Sequence, residues 1–178
     1  MAEYIYTFSG RKFYPLNPET DDVDISDIAH ALSLLCRANG HFSSFHSVAQ
    51  HCIECCAEAV SRGYGSKVAL ACLLHDASEA YMSDITTPVK NELENYRMYE
   101  DKLINMIFSK YTGELNEDEQ NKVWHLDKVL LYHEFYHFTG IEIGINEKLK
   151  SNPDFSFCDF EIVEKEFIRL FNMLSEKL

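Results

Sequence analysis

Residues 75–90 read HDASEAYMSDITTPVK, a stretch in which imidazole and carboxylate side chains are set among small and apolar ones. His75 and Asp76 are adjacent, Glu79 follows within one helical turn, and Asp84 comes a little further on. On a helix, Glu79 would lie four residues after His75 and three after Asp76, so all three can face one side. An imidazole beside a carboxylate suits a divalent cation that is neither very hard nor very soft, such as Mn²⁺, Co²⁺, Zn²⁺ or Fe²⁺. Two ligands do not make a site, so the others have to come from other helices. His51 and Asp127 are candidates, each within a helical pattern and next to apolar residues that would turn it inward. The plainer alternative is that His75-Asp76 is a helix-terminal pair satisfied by hydrogen bonds. Glu79 and Asp84, in an otherwise apolar or small stretch, weigh against it.

Working outward, the pattern is helical almost without interruption from Asp24 onward. The spacing predicts a helix from about Ser26 to Ala38, stopped by Asn39-Gly40, and a second from about Ser47 to Arg62, stopped by Gly63. Ser66 is expected to cap a third, reaching His75 and extending towards Tyr81. Residues 82–90 read as a loop, since Pro88 biases the residue before it away from helix. A fourth helix covers about Glu92–Lys110. A fifth starts at Asn116, with Glu119 as its capping-box partner, and runs to about Thr139 before Gly140. Asp159 opens the last, with Ile162, Phe167, Leu170, Phe171 and Leu174 expected on one face. Upstream, EYIYTFSGRKFYP (3–15) alternates aromatic and polar residues around Ser9-Gly10, as a small β-hairpin would. The fold class is therefore all-α, about six helices with a short N-terminal hairpin.

The chain has 178 residues, enough for one domain with its own core. Its expected parts are residues 1–23 (hairpin and loop), 24–140 (the helical core around the metal candidates) and 141–178 (a loop and the last helix). Sixteen Lys and Arg against 29 Asp and Glu leave a net charge of −13. So acidic a surface repels polyphosphate backbones, which argues against nucleic acid or an anionic membrane as partner. It leaves room for a small phosphate ligand, because a metal or a local Arg or Lys can reverse the sign inside one pocket. No apolar run approaches the roughly 20 residues of a membrane span. The opening Met-Ala-Glu-Tyr-Ile-Tyr has neither a basic nor an apolar export region. Six Cys fall mostly in apolar helical stretches, as buried free thiols of a cytoplasmic protein would. The Cys52-x-x-Cys55 pair lacks the second pair that a zinc site of that type needs.

His51, His75-Asp76 and Asp127 follow the H…HD…D order of HD-domain phosphohydrolases, and HDASEAYMSDITTPVK resembles the matching segment of their 5′-deoxynucleotidase branch. SVAQHCIEC (47–55) is similar to the segment with the first metal His, and Arg37 lies near the place of a phosphate-contacting Arg. TFSGRKFYPLNPE followed by CRANGHFSSF resembles small phage and prophage members of that group, to which the phage dATP triphosphohydrolases are related. The resemblance covers about residues 25–135. It implies an HD domain in which His51, His75, Asp76 and Asp127 hold one divalent metal (Mn, Co, Zn, Fe or Mg), with Glu79 in acid/base work and Asp84 close by. The implied reaction is hydrolysis of a phosphoester of a small nucleotide, a deoxynucleoside mono- or triphosphate, by a water whose pKa the metal lowers towards about 7. Arg37 can fork onto phosphate oxygens, and Lys90, His46 and His41 are expected to add donors or positive charge. A homo-oligomer is the implied assembly. Where the branch places a Trp after its phosphate Arg to select the deoxy sugar, this chain has Ala38, so sugar selectivity does not carry over.

Two other readings compete. One is a non-catalytic HD module that binds a nucleotide as a sensor. The other rests on His133-Glu134-Phe135-Tyr136-His137, an H-E-x-x-H pattern that places two imidazoles on one helix face beside a Glu, as zinc peptidases do. Gly140 fits the extended pattern, but Ile143 occupies its third ligand position, leaving Glu161 or Glu164 as substitutes. The structural alternative makes His133 and His137 surface or supporting groups beyond Asp127. His30 and His125 are expected in packing or supporting roles, and Tyr132, Phe135, Tyr136 and Phe138 in packing.

Overall fold

In the computed structural model, which describes residues 3–178, the aromatic–polar alternation near the N-terminus forms a two-stranded antiparallel hairpin. Strand β1 (Ile5–Tyr6) pairs with β2 (Lys12–Phe13), Ile5 opposite Phe13. Residues 1 and 2 of the expected N-terminal part lie outside the described residues. The hairpin is pinned at its tip, where the Ser9 main-chain N–H and hydroxyl both donate to the Asp27 carboxylate, at 2.7 and 2.9 Å. It is pinned at its base by Phe13, which is fully buried and stacks on Tyr81 at 3.9 Å. Burying a ring of that size stabilises the attachment by roughly 2 kcal/mol.

The rest is predominantly helical: α1 (Ile25–Leu34), α2 (Val48–Arg62), α3 (Ser66–Leu74), α4 (Glu79–Met82), α5 (Thr87–Lys90), α6 (Glu94–Tyr111), α7 (Glu117–Thr139) and α8 (Phe160–Ser175). Helix α3 is the centre of the bundle. Every residue from Val68 to Leu74 is buried, because α2, α6, α7 and α8 all pack on it. Such all-round apolarity is what a core helix requires. Local chemistry sets the ends of the others. Ser47 and Gln50 form a reciprocal capping box on α2, and Asn116 and Glu119 form the expected one on α7. No helix among the described residues is long and apolar enough to cross a membrane.

Four expectations about elements are corrected. The first helix stops at Leu34, not near Ala38, because the chain turns to pair with residues 46–48: Arg37 N–H donates to the His46 carbonyl and Val48 N–H to that of Leu35. Ala38 and Asn39 then take left-handed backbone angles inside the tight turn Arg37–Gly40. Gly65 caps α3, and Ser66 is its first residue. Residues 82–90 are not all loop, since Pro88 sits in the first turn of α5, where its missing N–H costs nothing. On α8, Ile162 is exposed; Val163, Phe167, Phe171 and Leu174 form the buried stripe.

The segment after α7 is irregular but anchored to the helices at several points. Gly144 (φ +95°) lies so close to α7 that a β-carbon there would come within 2.4 Å of the Lys128 carbonyl, and the neighbouring Ile145 N–H donates to that same oxygen. Further on, Glu58 of α2 is fully buried and accepts the main-chain N–H groups of Lys150 and Ser151, the Ser151 hydroxyl and the Arg62 guanidinium.

Candidate functional site

The antiparallel pair α2 and α3, with α7 packed against both, brings together side chains that are far apart in the chain. His51, at the end of the first turn of α2, is fully buried. Its Nε2 lies 3.2 Å from His75 Nε2 at the end of α3 and 3.2 Å from Asp127 Oδ1 on α7. Asp76 Oδ2 is 3.3 Å from His75 Nε2 and 4.0 Å from His51 Nε2, and Asp127 Oδ1 is 3.9 Å from His75 Nε2. Four side chains singled out from the sequence thus converge on one point.

The far sides of both imidazoles are occupied. His75 Nδ1 bonds the Cys72 carbonyl at 2.7 Å, and a carbonyl can only accept, so that nitrogen carries the proton. His51 Nδ1 bonds Glu134 Oε1 at 2.5 Å. With Nδ1 so committed, each ring in its neutral form would present the Nε2 lone pair to the shared point. Two such lone pairs and two carboxylate oxygens facing one another repel unless a cation lies between them, so the donor set fits a metal ion. Its ring nitrogens are held by carbonyl or carboxylate partners, as metal-ligating histidines usually are. Thiols also reach this place: Cys55 Sγ is 3.6 Å from His51 Nε2 and Cys52 Sγ 3.9 Å from His75 Nδ1. Burial pushes the Cys55 thiol up to about 11 and Cys52 well above its usual range. The His, Cys and carboxylate groups here are positioned to bind a metal ion.

The sequence reading placed Glu134 only in the peptidase alternative, yet it organises this wall. It is fully buried, two helical turns after Asp127, and accepts from His51 on one oxygen and from Arg37 Nη2 on the other at 3.1 Å. Burial alone would raise its carboxyl, but the charges of His51 and Arg37 hold it well below the usual carboxylate range. Burial likewise opposes ionisation of Asp127, which His51, His75 and Lys128 keep low; Lys128 Nζ is 2.9 Å from its Oδ2. Arg37 reaches inward because of the turn that ends α1, and its Nη1 lies 3.6 Å from Asp76.

A cavity of about 490 Å³ opens onto these groups, lined by Arg37, Asp76, Glu79, Asp84, Lys90 and Asp127 among others. Glu79 is buried, and its Oε2 has no hydrogen-bond partner among the described residues. Burial, reinforced by Asp76 and Asp84, raises its carboxyl well above the usual value, and burial raises Asp84 as well. Lys90 Nζ stands 4.0 Å from Glu79 and 2.7 Å from Glu100. Phe135, expected only to pack, lines the cavity and also meets Phe42 edge-on.

His46 does not reach this cavity, contrary to its expected role as a substrate contact. It is buried behind Glu134, 3.7 Å from that carboxylate and 3.5 Å from Glu54. His41 is exposed on the turn. His30 stacks on Phe8 and bonds Glu164, and His125 bonds Glu147, both as supporting groups. The H-E-x-x-H residues point apart: Glu134 faces the core, His133 Nε2 bonds the Glu147 carbonyl at 2.8 Å, and His137 packs on Phe138 and Phe155. Among the described residues no group of three metal-binding side chains includes either histidine.

No family model matches the chain. It is 44% identical over 108 residues to Uncharacterized protein YfdR of Escherichia coli, across 61% of this chain and 58% of that protein. It is 40% identical over 101 residues to an uncharacterized protein of Rhodobacter capsulatus, across 53% and 51%. The chain thus spans a little over half the length of these relatives.

Proposed function

We propose that the chain is an HD-domain phosphohydrolase that cleaves a phosphoester of a small nucleotide, a deoxynucleoside mono- or triphosphate, with a divalent metal at the His51–His75–Asp76–Asp127 cluster. The observation that carries this reading is the convergence of His51 Nε2, His75 Nε2, Asp76 Oδ2 and Asp127 Oδ1, with neighbour separations of 3.2–4.0 Å, on the wall of a cavity that also presents Arg37, Lys90 and Glu79. A divalent ion held there supplies Lewis acidity towards a phosphoryl oxygen and towards water.

The chain's own residues account for the remaining work. Arg37 is clamped on one edge by Glu134, which leaves Nη1 on the cavity side to take a phosphate oxygen. Lys90 adds a second cation at the same opening, which Asp76, Glu79, Asp84 and Asp127 also line, so a divalent ion bound among those carboxylates would turn the local charge in favour of a phosphate. Buried among carboxylates, Glu79 favours its protonated form, and its free Oε2 is the group available to give a proton to the leaving oxygen. Such a proton donor should sit in a place that water screens poorly, and Glu79 does.

The test is product release from nucleoside mono- and triphosphates with Mn²⁺, Co²⁺, Mg²⁺ or Zn²⁺, and with chelator. Inorganic phosphate from monophosphates, or tripolyphosphate from a deoxynucleoside triphosphate, supports the reading and says which bond is cut. Tight nucleotide binding with no release under any metal refutes catalysis and favours a sensor.

A further inference from the structure

Behind the metal-ligand cluster lies a second group of potential ligands that the phosphohydrolase reading does not use. His46 comes from the loop before α2, Glu54 from α2 and Glu134 from α7, and all three are buried. His46 Nε2 is 3.5 Å from Glu54 Oε2 and 3.7 Å from Glu134 Oε1, too far for good hydrogen bonds. Both His46 Nε2 and Glu54 Oε2 are sealed from solvent without a hydrogen-bond partner among the described residues. Burying a polar atom unpaired is costly, and more so for a charged one. Glu134 already has Arg37 and His51 as direct partners, whereas among the described residues Glu54 has His46 alone within ion-pair distance.

We infer that His46 Nε2, Glu54 Oε2 and Glu134 Oε1 form a second metal site that takes a first-row divalent ion such as Zn²⁺. Ligands at about 2.0–2.2 Å around a tetrahedral ion stand roughly 3.3–3.6 Å apart, close to the separations found here. The three ligand atoms all lie within 4.8 Å of one another. The donor set of one imidazole and two carboxylates is borderline in hardness and suits zinc or manganese. Two negative charges and a neutral imidazole give the ion the charge balance that Glu54 otherwise lacks. Glu54 also forms part of the wall of a groove of about 380 Å³, with Gln50, Ile53, Ser151 and Phe157, so solvent lies one side chain away from the site. Glu134 Oε1 also accepts from His51, so an ion held here touches the carboxylate that orients a ligand of the first site. This site stands on its own atoms and does not rest on the catalytic reading.

The experiment counts Zn²⁺ bound per chain after chelator stripping and titration with Zn²⁺ alone, read by elemental analysis and by Co²⁺ absorption in parallel. Wild type should hold two equivalents. Glu54→Gln and His46→Asn should each hold one, His75→Asn should hold one, and Glu54→Gln combined with His75→Asn none. A wild type that holds none, or a count that Glu54→Gln does not change, overturns the second site, whereas a single equivalent lost in Glu54→Gln and kept in His75→Asn supports it and overturns the first. Should the variants not fold, anomalous scattering from Zn²⁺-soaked wild-type crystals decides: a peak between His46, Glu54 and Glu134 supports the site, and its absence overturns it.

Discussion

Glu58→Gln removes one negative charge from a place where four donors converge. In the folded chain the carboxylate accepts from Lys150 N–H, Ser151 N–H, the Ser151 hydroxyl and Arg62 Nε. Burial pushes the group up, but the Ser151, Lys150 and Arg62 bonds outweigh it and bring the carboxyl from an ordinary 4.5 down to about 2. Each tenfold change in acidity is ~1.36 kcal/mol, so the full difference is worth up to about 3 kcal/mol at neutral pH. The side chain itself exposes nothing, yet it lies shallowly, close to the surface. Water screening trims the figure to about 1.5–3 kcal/mol. Because the folded state lowers the pKa, this stability is fully present above about 4.5 and is lost as pH falls towards 2. Urea unfolding of wild type and Glu58→Gln at several pH values between 2 and 7 should show a gap that is widest at neutral pH and closes by about pH 2. A gap that is absent at pH 7, or constant with pH, would refute the argument that these four donors are worth more to the ionised carboxylate than water is.

Glu79→Gln should leave metal content unchanged and lower kcat by roughly 10²–10⁴-fold, the range of a lost proton-transfer group; normal turnover in metal-loaded variant would remove Glu79 from the mechanism. Arg37→Lys keeps the charge but loses the planar fork, so substrate affinity should fall by about tenfold or more, seen as a raised KM. An unchanged KM would mean that Arg37 serves only to hold Glu134. Gly144→Ala places a methyl 2.4 Å from the Lys128 carbonyl at φ +95°. The loop must lift from α7, costing roughly 1–3 kcal/mol in a thermal or denaturant melt, and an unaltered melt would show that this close approach is not held in solution.

Much of the fold could be read in the sequence because local rules and tertiary demands agree there. The Asn116–Glu119 box, the Gly63 and Gly140 stops and the Asp159 start each depend on groups within one turn, and each is where the pattern puts it. The end of α1 was not legible for the opposite reason. Asn39-Gly40 is a good helix stop, but pairing of Arg37 and Leu35 with residues 46–48 ends the helix sooner, and that pairing is a long-range choice. The consequence for the site is direct, because the same turn swings Arg37 inward.

Residue type made His51 and Asp127 candidates beside His75-Asp76, since each lies in a helical pattern whose apolar face had to turn inward, and the full set of four came from the resemblance to the H…HD…D order. Glu134 was hidden by its neighbours. Flanked by His133 and His137, it looked like the base of a peptidase motif, and a pattern of five residues says nothing about which of them faces the core. Seven residues separate Glu134 from Asp127, two helical turns, so the two carboxylates share a face of α7. That interval was available as a signal. It lacked weight because a buried carboxylate is costly unless its partners are known, and those partners, Arg37, His51 and His46, come from segments about 80 to 100 residues away. Helical periodicity can say that a side chain turns inward; only the packing of α2 on α7 says what it meets there.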